Sequence, residues 1–130
     1  MGKHVLAWSV VASAVALANA AAAAEYRPFN SNDFAASQAA GKPILVDVAA
    51  SWCPICKAQA PIVDKYTSEP RFKDLIVYRL DFDRQKADWR RFGVRMQSTL
   101  IAFHGPKETA RSVGDTDAKS IAGLIDSTTR

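Results

Sequence analysis

Past residue 24 the apolar positions fall into short blocks divided by turn-forming residues. Asn30-Ser31-Asn32-Asp33 offers helix-capping side chains, and the spacing predicts a short helix over 34–40 that Gly41 ends. Residues 43–49 run Pro-Ile-Leu-Val-Asp-Val-Ala, with Asp47 the one polar interruption. A short run of this kind predicts a buried strand. Pro54 suits the first turn of a following helix, where a missing N–H costs nothing. Ile55, Ala58, Ile62 and Val63 would give that helix an inner face, Pro61 would kink it, and Glu69-Pro70 would stop it.

The same reading predicts a strand over 75–82, a short polar helix over 84–92 and a strand over 99–103. His104-Gly105-Pro106-Lys107 is a turn, and 109–113 pairs back as a hairpin partner. Gly114 breaks it, and Asp115 or Thr116 caps a last helix that buries Ile121, Leu124 and Ile125. Strand–helix–strand crossovers require parallel pairing at the centre, and the closing hairpin makes the sheet mixed. The expected fold class is α/β, with helices on both faces of the sheet.

Residues 1–24 read differently. Lys3 and His4 precede an apolar, Ala-rich stretch, and Ala18-Asn19-Ala20 and Ala22-Ala23-Ala24 both fit a small-residue cleavage pattern. This is the anatomy of a secretory signal peptide, so 1–24 is expected to be removed and 25–130 to form one domain. A retained anchor is the alternative, but the apolar stretch reaches the ~20 residues of a membrane span only if the Ala tract and Asn19 are counted.

Charge changes this picture little. The chain has 130 residues, 17 basic and 13 acidic, with a formal net charge of +4, and the leader carries one of the basic residues, Lys3. Arg84, Lys86, Arg90, Arg91 and Arg95 cluster around Trp89, but Asp83 and Asp88 are interspersed. That mixture reads as a solvated helix face, and no nucleic-acid partner is expected.

The chemistry sits in Trp52-Cys53-Pro54-Ile55-Cys56-Lys57, which holds both cysteines of the chain. Two thiols three positions apart, where a strand hands over to a helix, suit exchange of electrons with other dithiols. A structural staple is a poor use of this spacing, because closing so short a ring stabilises by only about 2 kcal/mol before strain. A zinc site lacks ligands, with only His4 and His104 to join the thiols, and haem attachment would need His where Lys57 stands. Cys53 opens the helix, where free N–H groups favour a thiolate, and so is the expected nucleophile. Cys56 shares its helix face and can resolve the mixed disulfide. Asp47, an acid within an apolar strand, is expected to have a raised pKa and to act as a proton acceptor, the alternative being a hydrogen-bonded structural acid.

Taken in order, these landmarks resemble the thioredoxin superfamily over roughly residues 40–127. Ile44-Leu45-Val46-Asp47 is similar to its central strand, Trp52-Cys-x-x-Cys56-Lys57 to its active site, and Pro61 to the kink of its long helix. Leu80-Asp81-Phe82-Asp83 resembles the end of the next strand, Phe92-Gly93-Val94-Arg95 the approach to the loop facing the cysteines, and Val113-Gly114 the end of the last strand. The resemblance implies a thioredoxin-like, three-layer α/β/α fold around a central mixed sheet of four to five strands. Together with the leader it points to a periplasmic, monomeric thiol–disulfide oxidoreductase, acting as a reductant. Disulfides of exported proteins would be its substrates and a membrane thiol reductase its electron donor, with no cofactor.

The resemblance also assigns roles. Relatives expose the first sulfur, here that of Cys53, and Asp47 would serve Cys56. Trp52 would pack beside the disulfide and shape the docking surface, or be an ordinary core aromatic. Pro54 and Ile55 form the potential-tuning dipeptide and add no charge. Lys57 would add positive charge near the thiolates or point to water, and Arg79, in the place of a family lysine, would pair with Asp47. One landmark departs. The family has a cis-proline where this chain has Ser98, and a cis bond before a non-proline costs ~2.5–4 kcal/mol, so Gln97–Ser98 is expected to be trans. An opened loop there raises the alternative that the two thiolates hold copper(I) or a shared cluster.

Overall fold

The computed structural model describes residues 1–3, 14–16 and 22–130. Most of the predicted leader, including most of its apolar stretch, therefore lies outside the described residues. Among those described, no helix is long and apolar enough to cross a membrane.

Five strands form one sheet. They are β1 (Glu25–Pro28), β2 (Pro43–Ala49), β3 (Ile76–Asp81), β4 (Thr99–His104) and β5 (Lys107–Val113), in the spatial order β1-β3-β2-β4-β5. β3 runs parallel to both β1 and β2, while β4 is antiparallel to β2 and β5. Four α-helices complete the fold: α1 (Ser31–Ala39), α2 (Pro54–Thr67), α3 (Lys86–Arg91) and α4 (Ala118–Asp126).

The alternation within β2 builds the three layers. Ile44, Val46 and Val48 face a cluster that includes Phe34 of α1 and Trp89 of α3. Leu45 faces the opposite cluster, with Val63 of α2 and Ile121, Leu124 and Ile125 of α4. Successive side chains of a strand point to opposite faces, so a central strand covered on both sides reads as a continuous apolar run. Asp47 shares the face of Leu45 and is buried on the α2 side.

Several boundaries differ from expectation for identifiable reasons. β1 has no periodic signal, being short, polar at Glu25 and Arg27 and closed by Pro28; tertiary contacts hold it. Tyr26 Oη donates to Asp64 of α2 at 2.7 Å, and Arg27 Nη1 donates to Asp33 of α1 at 3.0 Å. The predicted helix over 84–92 begins only at Lys86, because Asp81 Oδ1 first accepts from the main-chain N–H of Asp83 and Arg84. Asp117, not Asp115 or Thr116, caps α4, accepting from Ser120 N at 2.7 Å. Asp115 instead accepts from Asp117 N and the Ser120 hydroxyl. The hairpin turn is tighter than expected, with only Gly105-Pro106 between β4 and β5; Gly105 takes φ +55° and a side chain there would press on Gly41.

α2 runs through Pro61 as predicted, but its inner face is rotated. The buried positions are Cys56, Gln59, Val63 and Thr67. Ile55 and Ala58 are exposed and Ile62 is half-buried. The buried positions fall three to four residues apart, the spacing of one helix face.

Candidate active site

The site forms where β2 ends. Residues 50–52 turn the chain, and Cys53 becomes the N-cap of α2, its Sγ accepting from the Cys56 N–H at 3.1 Å. Pro54 takes the first helical turn. Cys53 and Cys56 are joined in a disulfide, with their Cα atoms 5.3 Å apart. The N-cap bond places one sulfur where an unpaired helix donor points, so charge appearing on Cys53 during exchange meets an N–H already aimed at it.

Neither sulfur-bearing residue is open to solvent. Cys53 is 1% exposed and Cys56 8%, which corrects the expectation that the first sulfur is exposed. Both pack in a small cluster with Ala50, and Ala49 and Phe82 lie against it. Phe82 stacks on Trp89 at 4.7 Å, and Trp89 Nε1 donates to the Phe82 carbonyl at 2.8 Å. Phe82, held by that stacking, therefore lies against the disulfide cluster. The sequence marks Trp89 only as part of a charged helix.

Asp47 is buried below the active-site helix. Burial lifts its carboxyl to a pKa of about 6, with Arg79 pulling it back down and Asp64 adding to the rise. Arg79 stands opposite Asp47 in the β2–β3 register. The expected Asp47–Arg79 ion pair is nevertheless not formed. Arg79 pairs with Asp64 at 3.5 Å and lies over the Tyr26 ring at 5.0 Å. A cleft of about 940 Å³ reaches from solvent to Asp47 and Cys56, with Lys57 and Arg79 on its walls. The acid and the second cysteine thus line one cleft open to solvent.

The rim is apolar and exposed. Trp52 is 54% exposed and donates through Nε1 to both carboxylate oxygens of Asp83, at 2.9 and 3.1 Å, so it is not a core aromatic. Ile55 and Met96 are exposed at the same end of the molecule. Ser98 is 1% exposed and has φ +59°, and no described peptide bond is cis. Its carbonyl accepts from Gly114 N at 2.9 Å and from Gln59 Nε2 at 3.2 Å. Gln59 is thus a site-bordering residue that an apolar count along the helix passes over. Among the described residues no three His, Cys, Asp or Glu side chains converge as a metal site.

A family model described as Thioredoxin matches residues 25–127. The chain belongs to the thioredoxin family. It is 37% identical over 94 residues to a thioredoxin of Chlamydia muridarum, covering 72% of this chain and 89% of that one. With a bifunctional thioredoxin reductase/thioredoxin of Mycobacterium leprae it shares 39% identity over 92 residues, 71% of this chain but 19% of that longer protein. The solved structure of Trxlp from Edwardsiella tarda superposes with a TM-score of 0.75 at 38% identity, covering 78% of this chain and 98% of that one. Family and paired cysteines together make this chain a thiol–disulfide oxidoreductase. Its site differs from the resemblance at Ser98 and in the burial of Cys53.

Proposed function

We propose that this chain is an exported thioredoxin, released from a signal peptide at 1–24, that reduces disulfides of other exported proteins as a monomer in the periplasm. The observation that carries the chemistry is the Cys53 sulfur at the N-cap of α2, bonded to Cys56 and backed by a buried acid on the cleft. In the dithiol form, Cys53 thiolate attacks one sulfur of a partner disulfide, and the partner's other sulfur leaves as a thiolate. The Cys56 thiol gives its proton to Asp47 and attacks Cys53 Sγ. The S–S bond between Cys53 and the partner breaks, the partner has gained two electrons, and Cys53–Cys56 is the new disulfide. A membrane thiol reductase returns the two electrons.

Two measurements test this. Cys56→Ala in the full chain removes the resolving thiol, so mixed disulfides on Cys53 should accumulate, and mass spectrometry should identify exported proteins in them. A catch confined to cytosolic proteins, or a full-length product that stays in the cytosol on fractionation, would overturn the export reading. In the reduced protein at neutral pH, iodoacetamide should alkylate Cys53 faster than Cys56. The reverse order would exchange the roles assigned to the two sulfurs.

A further inference from the structure

Gln59 is a polar side chain whose placement the dithiol chemistry does not explain. It lies on the inner face of α2, three positions past Cys56, at 2% exposure. Its Nε2 donates to two main-chain carbonyls, Ser98 O at 3.2 Å and Asp115 O at 2.8 Å. Two acceptors on one atom fix the orientation of the amide, because only its nitrogen end can donate. Oε1 is then buried with no partner among the described residues. A buried amide with an unmet acceptor fills the core less favourably than a methionine of similar shape would. Its bonds instead fasten three segments together: the helix that bears Cys56, the chain entering β4, and the link from β5 to α4.

The middle segment needs fastening. Ser98 sits at φ +59°, a left-handed backbone that disfavours residues with side chains. Its carbonyl is held by Gln59 from one side and by the Gly114 N–H from the other. Thr99, next in the chain, pairs with Val48, so this segment lies at the end of the sheet where β2 delivers Cys53. Exposed Met96 precedes it on the apolar rim with Trp52 and Ile55. Because the sulfurs are nearly buried, a protein partner meets this rim before it meets them.

We infer that Gln59 is a positioning residue for partner docking: its amide pins the Ser98 segment to the active-site helix and so sets the surface on which a protein disulfide is presented to Cys53. The inference rests on the thiol–disulfide reading of the site. Gln59 supplies from the helix a restraint that a ring at position 98 would supply from within the loop.

The test is Gln59→Met in the full chain, assayed with insulin as the protein disulfide and dithiobis-nitrobenzoate as the small one. KM for insulin should rise about five- to tenfold with kcat held within about twofold, as expected when a binding contact is lost without loss of chemistry. The rate with the small disulfide should stay within about twofold, since it needs no docking surface. An unchanged KM, or parallel slowing with both disulfides, would overturn the inference while leaving the function standing. A wild-type protein inactive on insulin would remove both. Gln59→Leu, which likewise has no donor for either carbonyl, should raise KM at least as much, and an unaltered KM there also counts against the inference. Should neither variant fold, hydrogen exchange on the wild type decides. The Gln59 side-chain amide protons should be protected, and exchange as fast as in a surface glutamine overturns the inference.

Discussion

Cys53→Ser should abolish insulin reduction, lowering the dithiothreitol-driven rate by at least ~10³-fold to the uncatalysed background. A serine hydroxyl at the N-cap keeps the helix start intact, because it accepts the Cys56 N–H as the sulfur does. It cannot become the attacking thiolate at neutral pH, nor can it form the bond to Cys56. The substitution therefore separates the fold from the chemistry. Thermal unfolding of the variant should remain cooperative, shifted by the loss of a short-ring disulfide worth only about 2 kcal/mol. Turbidity developing at the wild-type rate would show that reduction does not pass through this sulfur.

Asp47→Ala should stabilise the protein at neutral pH while slowing it. The folded pKa of about 6 lies above the ordinary value of 3.8 because burial penalises the charge. Below pH 3.8 the carboxyl is protonated in both states and has no effect on stability. Between 3.8 and about 6 the unfolded chain ionises first, so stability falls as pH rises, and above that window the loss is complete. The shift corresponds to an upper bound of about 3 kcal/mol, from which the packing lost with the removed atoms must be subtracted. Denaturant unfolding at pH 8 and pH 4 checks this, since the gain from Asp47→Ala should be present at pH 8 and absent at pH 4. Equal effects at both pH values would mean that the carboxyl is not held neutral by burial. Turnover of insulin at pH 7 should drop about ten- to a hundredfold, because Cys56 loses its proton acceptor. The deficit should close as pH approaches ~8.5, where a thiol ionises unaided.

Much of this architecture was legible because few interactions decide it. The apolar run at 43–49 could only be a strand covered on both faces, and its single acid had to be buried with it. Cys-x-x-Cys at the end of that strand then placed the chemistry. The misread parts depend on partners distant in sequence. β1 exists through Tyr26 and Arg27 reaching helices 38 and 6 residues away. Counting apolar residues assigns the wrong face of α2, because the buried face carries a disulfide cysteine and a polar glutamine in place of Ile55 and Ala58. Asp115 looked like a cap by residue type, but its carboxylate turns back to organise the true cap at Asp117. Cys53 is buried in a cluster that Phe82 packs against, a neighbour no local pattern reveals. Ser98 was recognised as a departure, while the left-handed geometry that accommodates it was not.

That geometry narrows the routes by which this loop can change. A pyrrolidine ring holds φ near −65°, on the opposite side of the conformational map from the +59° at Ser98. Installing proline there by itself would twist the carbonyl away from both of its donors and strand the glutamine amide in the interior. Proline at 98 and the present framework are thus mutually exclusive neighbours, and a change from one to the other would have to alter the helix and the loop together.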